Sequence, residues 1–171
     1  VSALPLALEA LAALCSLFAV AFVLARAINN YGIVDIAWSY SFALLAVAYA
    51  FLGAGFSVRR AMIAAMAVMW SVRLGTHLLV RIARKHPEED GRYLQLRKDW
   101  GARFALKMAG FFQLQAFSVV FLGIPFLAAC SNPETEIGPL EWGAAALWAV
   151  SISGEALADA QLSRFKRDRT N

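Results

Sequence analysis

Hydrophobic side chains do not alternate along this chain; they run in long blocks separated by short polar connections. Five blocks are candidates for spanning helices. A hydrocarbon core about 30 Å thick calls for about 20 apolar residues, each rising about 1.5 Å. The blocks run from about Leu4 to Ile28, broken only by Glu9, from Ile33 to Phe56 with a break at Gly53-Ala54-Gly55, and from Arg60 to Ile82. The fourth runs from Phe104 to Ala129, where Pro125 predicts a kink, and the last from Leu140 to Leu162 after a turn with Pro133, Gly138 and Pro139. The first block lacks a basic leading region and a small-residue cleavage site, so it reads as a retained helix rather than a signal peptide. The pattern predicts an all-α integral membrane protein of about five transmembrane helices. It forms a single transmembrane domain over residues 1–171, with a polar loop between helices three and four.

Composition sharpens this. Of the 171 residues, 60% are hydrophobic and 16% charged, and the mean hydropathy is +0.59. Soluble domains carry about 45–50% apolar and about 25% charged residues. Cys15 and Cys130 form neither a disulfide framework nor a metal spacing, and His77 and His86 are too few and too separated for a histidine metal site. No metal site is expected. There is no strand-borne GxGxxG, Walker loop, nucleophile elbow or HExxH.

The net charge of +4 falls beside the hydrophobic blocks, as the positive-inside bias of membrane loops requires, so membrane lipid rather than nucleic acid is the expected partner. Arg81, Arg84, Lys85, Arg92, Arg97, Lys98, Arg103 and Lys107 lie between blocks three and four. Arg164, Lys166, Arg167 and Arg169 lie in the tail, whereas the connection before the last block holds Glu134, Glu136 and Glu141. That asymmetry places the third loop and the C-terminus in the cytoplasm and the N-terminus outside, an N-out/C-in topology that only Arg59 and Arg60 oppose. Twelve arginines against four lysines, with abundant alanine, suit a bacterial inner membrane.

Ionisable residues within apolar helices mark function or helix pairing, since a charge at mid-bilayer costs at least about 2.5–3.5 kcal/mol. Trp70, Arg73, His77, Arg81 and Arg84 share one helical face; Trp148, Ser151, Glu155, Asp159 and Leu162 share another. Asp35 and Trp38 open the second helix behind Asn29-Asn30-Tyr31-Gly32. Structural readings stand beside these. Arg81 and Arg84 snorkel cheaply to headgroups, Arg73 pairs with Glu155 or Asp159 between helices, and Gln113 and Gln115 serve as interhelical hydrogen-bond glue. Trp38, Trp100 and Trp142 anchor at the interface, and Asp35 meets a helix N-terminal dipole. The loop Glu88-Glu89-Asp90-Gly91-Arg92-Tyr93, followed by Leu96 to Gly101, reads either as an anion-binding segment or as a surface helix with Tyr93, Leu94, Leu96 and Trp100 toward lipid.

Taken in order, Ile33-Val34-Asp35-Ile36-Ala37-Trp38-Ser39, Trp70-Ser71-Val72-Arg73-Leu74-Gly75, Glu89-Asp90-Gly91-Arg92-Tyr93, Phe112-Gln113-Leu114-Gln115, and Gly154-Glu155 through Asp159-Ala160-Gln161-Leu162 with Phe165-Lys166 carry a resemblance. The chain resembles the DUF1295 branch of the steroid 5-alpha-reductase (3-oxo-5-alpha-steroid 4-dehydrogenase) superfamily. The resemblance implies the front portion of a seven-helix membrane reductase that uses NADPH to reduce the carbon–carbon double bond of an enone in a hydrophobic, steroid-like or lipid substrate. It implies Asp35, by position, and Tyr93 as catalytic groups that hydrogen-bond the substrate carbonyl. Glu155, Asp159 and Lys166, by spacing, and Arg92, in the loop, are implied to hold the cofactor.

In the family the Phe-Lys segment leads into further pyrophosphate- and adenine-binding stretches and two more helices, which this sequence, ending at Asn171 and starting without methionine, is expected to lack. Two alternatives remain from the sequence: an S-adenosylmethionine-dependent methyltransferase of a related branch, and a non-catalytic truncated membrane homologue that packs helices or binds lipid.

Overall fold

The computed structural model describes residues 3–167, with side chains through residue 165. Every element among the described residues is helical: α1 (Ala3–Ala27), α2 (Ile33–Leu52), α3 (Ser57–Lys85), α4 (Gly91–Trp100), a 3₁₀ turn (Gly101–Arg103), α5 (Phe104–Leu122), α6 (Ile124–Ser131) and α7 (Pro139–Arg167). The chain divides into two compact units, Val1–Pro133 and Glu134–Asn171.

Four helical stretches are long and apolar enough to cross a membrane: Ala3–Ala27, Ile33–Leu52, Ser57–Lys85 and the run Gly91–Ser131. The chain is thus an integral membrane protein by these helices. The fifth expected span is helical, as α7, but is not among the four. Glu141, Glu155 and Asp159 fall inside it and lower its hydropathy. The expected kink near Pro125 is a one-residue interruption at Gly123, between α5 and α6. α5 stops at Gly123, and Pro125 stands in the first turn of α6, where its missing N–H costs nothing. A Cβ on Gly123 would lie 2.3 Å from Leu45 Cδ2, so the break is also where α2 presses closest.

The first unit is organised by the contact of α2 with α3. The buried stripe of α3 is Ala67, Ser71 and Gly75, small residues four apart, which let two backbones approach closely in lipid, where apolar surfaces gain little by meeting. A Cβ on Gly75 would sit 2.8 Å from the Tyr40 ring. Between them the Ser71 hydroxyl donates to the Ser39 carbonyl and accepts from the Ala43 amide at 3.1 Å. It therefore sits between two groups that an uninterrupted helix pairs with each other. Trp38, Phe42 and Trp70 pack edge to face with centroids 4.7–6.5 Å apart, and Trp38 Nε1 donates to Ser118 Oγ of α5 at 2.9 Å. Trp38 is thus an internal packing residue, not the interface anchor expected of it. Gln113 is interhelical glue, as read: its Nε2 donates to the Cys15 carbonyl of α1 at 3.3 Å.

At the end where α2 stops and α3 starts, Gly53 and Gly55 lie against residues 130–132. Gly55 N and Phe56 N donate to the Cys130 and Asn132 carbonyls at 2.9 and 3.0 Å. A Cβ at Gly55 would meet both carbonyl oxygens at 2.6 Å. Arg60 Nη1 donates to the Ala50 and Gly53 carbonyls at 2.6 and 2.7 Å, satisfying the C-terminal carbonyls of α2. The fully buried Arg59 donates to the Asn132 carbonyl at 3.3 Å. The two arginines that oppose the charge rule therefore have local backbone work to do.

Replacing Gly75 by leucine should overpack this contact, at about 1–3 kcal/mol, and lower the unfolding temperature in detergent. Gly110→Ala, where a Cβ meets nothing within 4 Å, should cause no loss. Equal melting of the two variants would refute the close-approach account.

Candidate functional site

The opposite end of the first unit gathers the end of α1, the start of α2, the end of α3, and α4. Here the polar loop of the sequence folds back as a helix. Asp90 is the N-cap of α4, its carboxylate accepting from Arg92 N at 3.0 Å, the usual role of aspartate before a first turn. Gly101, at φ +47°, closes the helix in a conformation that suits glycine. Two clasps fix α4 to the bundle.

The first clasp has a buried carboxylate at its centre. Glu89, with its side chain 5% exposed, accepts from the Tyr31 amide at 2.9 Å and from Arg97 Nη2 at 3.0 Å. Arg97 also reaches Asn29 Oδ1 at 3.1 Å, and its guanidinium lies 4.6 Å from the Phe104 ring centroid and 5.4 Å from that of Tyr31. Asn29 holds a left-handed φ of 52°, which asparagine tolerates better than most residues. The turn between α1 and α2 is thereby tied to α4.

The second clasp is the candidate site. Asp35, on the first turn of α2, accepts from the Tyr93 hydroxyl at Oδ1, 2.9 Å, and from Arg92 Nη2 at Oδ2, 2.9 Å. Arg92 Nε reaches Asp90 Oδ1 at 3.1 Å, and Arg81 of α3 pairs with Asp90 Oδ2. A continuous relay, Asp35–Arg92–Asp90–Arg81, thus links α2, α4 and α3. Tyr93 is 3% exposed, so its ring faces the protein and not lipid, correcting the surface-helix reading for that residue. Arg81 is paired rather than snorkelling. The side-chain hydrogen bond from Arg92, opposed by burial and helped by the Arg92 amide and the charges of Arg92 and Arg81, holds the Asp90 carboxyl down from 3.8 to about 2.

Beside this relay opens a cleft of about 330 Å³ lined by Asp35, Trp38, Ser39, Leu74, Leu78, Arg81 and Arg92. That is near the lower end of small-molecule cavities. Its floor is apolar and aromatic and its rim charged. The backbone of the α2 wall is braced, since Ser39 Oγ donates to the Asp35 carbonyl at 2.8 Å while Ser71 holds the Ser39 carbonyl.

The family described as a protein of unknown function (DUF1295) matches residues 21–171. The chain belongs to the DUF1295 family. No curated protein and no solved structure matches it.

In this DUF1295 protein the structure brings Asp35, Arg92 and Tyr93 together: Asp35 and Arg92 line the cleft, and the buried Tyr93 is bonded to Asp35. Glu155 and Asp159 stand one turn apart on α7, in the second unit, as their spacing predicts. Lys166 is on the same helix with its side chain outside the described residues. Asp90, Ser39, Leu74 and Leu78 were not singled out as site residues from the sequence. The N-cap pattern of Asp90 before Arg92 and Tyr93 was the available signal for the first of them.

Because the Asp90 carboxyl is lower in the folded protein than the ordinary 3.8, its contribution to holding α4 is full above about pH 4 and is lost as the pH falls toward about 2. Hydrogen exchange of residues 88–94 in detergent should rise over that window in the native chain. In Asp90→Ala this part of the rise should be absent; an identical profile in the two proteins would refute the assignment.

Proposed function

We propose that this chain is a membrane reductase that takes NADPH and reduces the carbon–carbon double bond of an enone in a hydrophobic substrate, with the cleft between α2 and α3 as its reaction chamber. The observation that carries the reading is a carboxylate and two arginines lining one cleft beside Trp38, Leu74 and Leu78, with the buried Tyr93 hydroxyl bonded to that carboxylate. The orientation proposed with it puts this rim and the C-terminus in the cytoplasm of a bacterial inner membrane, following the basic residues around α4.

The chemistry divides by what each group can give. Both oxygens of Asp35 are engaged as acceptors, from Tyr93 and Arg92, so Asp35 acts as the orienting group and Tyr93 as the donor with a proton to share. Turned from Asp35 to a substrate carbonyl, the Tyr93 hydroxyl would stabilise negative charge as it develops on that oxygen, the kind of donor whose removal costs about 10²–10³-fold in rate. Trp38, Leu74 and Leu78 supply the apolar wall that excludes water from the double bond. Arg81 and Arg92, with side chains 43% and 61% exposed, are fit in chemistry for the phosphates of a dinucleotide; Glu155, Asp159 and Lys166 are cofactor candidates by their sequence spacing alone. NADPH, when bound, supplies the hydride.

A second reading draws on the same geometry. Each carboxylate of the relay is already met by a guanidinium, as it would be in a purely structural clasp, which favours a non-catalytic membrane module.

Tryptophan fluorescence during NADPH titration, followed by NADPH oxidation with hydrophobic enones, separates the two. The reductase reading expects saturable binding, and Tyr93→Phe lowering turnover about 100-fold or more with binding retained. Failure of the native chain to bind NADPH would leave the structural module.

A further inference from the structure

We propose that Arg81 and Arg92 form a phosphate-binding pair on the rim of the cleft, and that Asp90 is its built-in competitor, displaced when a phosphate-bearing ligand binds. The inference rests on reading the cleft as a ligand site with these two arginines, and it adds to that reading the competing carboxylate and a mechanism of opening.

Three observations carry it. Both arginines line the cleft and are substantially exposed, yet both are turned onto one carboxylate. Asp90 collects the Arg92 amide, Arg92 Nε at 3.1 Å, Arg92 Nη2 at 3.4 Å and an Arg81 nitrogen. This is the set of donors a phosphate oxygen cluster would otherwise take. The rim is also balanced in charge: Asp35 and Asp90 face Arg81 and Arg92. A phosphate arriving at that rim gains no net attraction until one carboxylate leaves.

Of the two carboxylates, Asp90 is the one able to leave. Asp35 is built into α2, where Tyr93 holds its other oxygen. Asp90 lies on the connection between α3 and α4. Its departure also removes the side-chain cap of the helix that carries Tyr93, so ligand binding at the arginines is coupled to release of the tyrosine donor two residues past Gly91. The site takes a phosphate ester or pyrophosphate, and the same chemistry is offered by a soluble dinucleotide and by an anionic lipid headgroup.

Asp90→Asn tests the proposal, because asparagine keeps the capping acceptor while losing the charge. The full chain in phosphatidylcholine nanodiscs is titrated with pyrophosphate, with NADPH, and separately reconstituted with added phosphatidylglycerol. Asp90→Asn should bind the phosphate probe at least about 5-fold more tightly, as for a typical coupling between sites, and Arg81→Gln in the same background should abolish the gain. In the native chain, pyrophosphate should raise hydrogen exchange at residues 91–94, a readout independent of how the variants fold.

A gain with phosphatidylglycerol alone supports the site with lipid as its source. A gain with pyrophosphate but no NADPH binding by either protein keeps the phosphate site and removes the reductase reading. Equal or weaker phosphate binding by Asp90→Asn, no response of either protein to any probe, or increased protection of residues 91–94 on pyrophosphate binding overturns the proposal.

Discussion

The close approach of α3 to α2 is the contact on which the rest of the first unit depends. Helices surrounded by lipid gain little from apolar burial, so their register has to come from backbone proximity and a few hydrogen bonds. Ala67, Ser71 and Gly75 provide both. Gly75 admits the Tyr40 ring to a distance that leaves no room for a Cβ. The Ser71 hydroxyl is shared between Ser39 and Ala43, so sliding α3 along α2 would break that sharing. Once the register is set, the first turn of α2 and the last turns of α3 stand side by side. Asp35 and Arg81 then share one cleft.

Polar groups are handled differently at the two ends. Where α2 passes into α3, glycines bring main chain against main chain, and Arg59 and Arg60 reach carbonyl oxygens. At the other end the polar groups are mostly side chains, held in two clasps through α4. In the Glu89–Arg97 clasp the carboxylate is buried and the guanidinium lies over aromatic rings, so removing Arg97 would strand the Glu89 charge. The Asp35–Arg92–Asp90–Arg81 relay is more open to solvent and alternates in sign, so its members can exchange partners at lower cost.

Membership of the DUF1295 family and this geometry are independent strands. The family match spans α2 to α7 without reference to three-dimensional contacts. The cleft, the buried tyrosine and the paired arginines come from the fold alone. Within that geometry Asp35, Arg92 and Tyr93 are joined by hydrogen bonds at one end of the first unit. The orphaned hydroxyl of Tyr49, buried in the same unit, lies at the other end of α2 and has no part in it.

Long apolar blocks made the helices legible before any coordinates, because a helix in lipid must satisfy its own backbone and carries that requirement in its composition. The exceptions are instructive. Pro125 marked a weakness in the fourth block, but a helix tolerates or breaks at proline according to its neighbours, and here Leu45 of α2 occupies the space beside Gly123. Asp35, Arg92 and Tyr93 could be picked out by type and order. Their mutual distances could not, since 57 and 58 residues separate Arg92 and Tyr93 from Asp35 and nothing local encodes such a contact. Trp38 differs from its expected place for the same reason: an aromatic near a helix end looks alike in sequence whether it faces headgroups or Ser118. Local propensity and hydropathy thus sufficed for the helical, membrane-embedded character and the roster of reactive side chains. Asp90 as the cap of α4 is local, but the joining of Asp35 and Arg81 to it through Arg92 depends on packing α3 against α2 and α4 against both, long-range contacts that no single segment encodes.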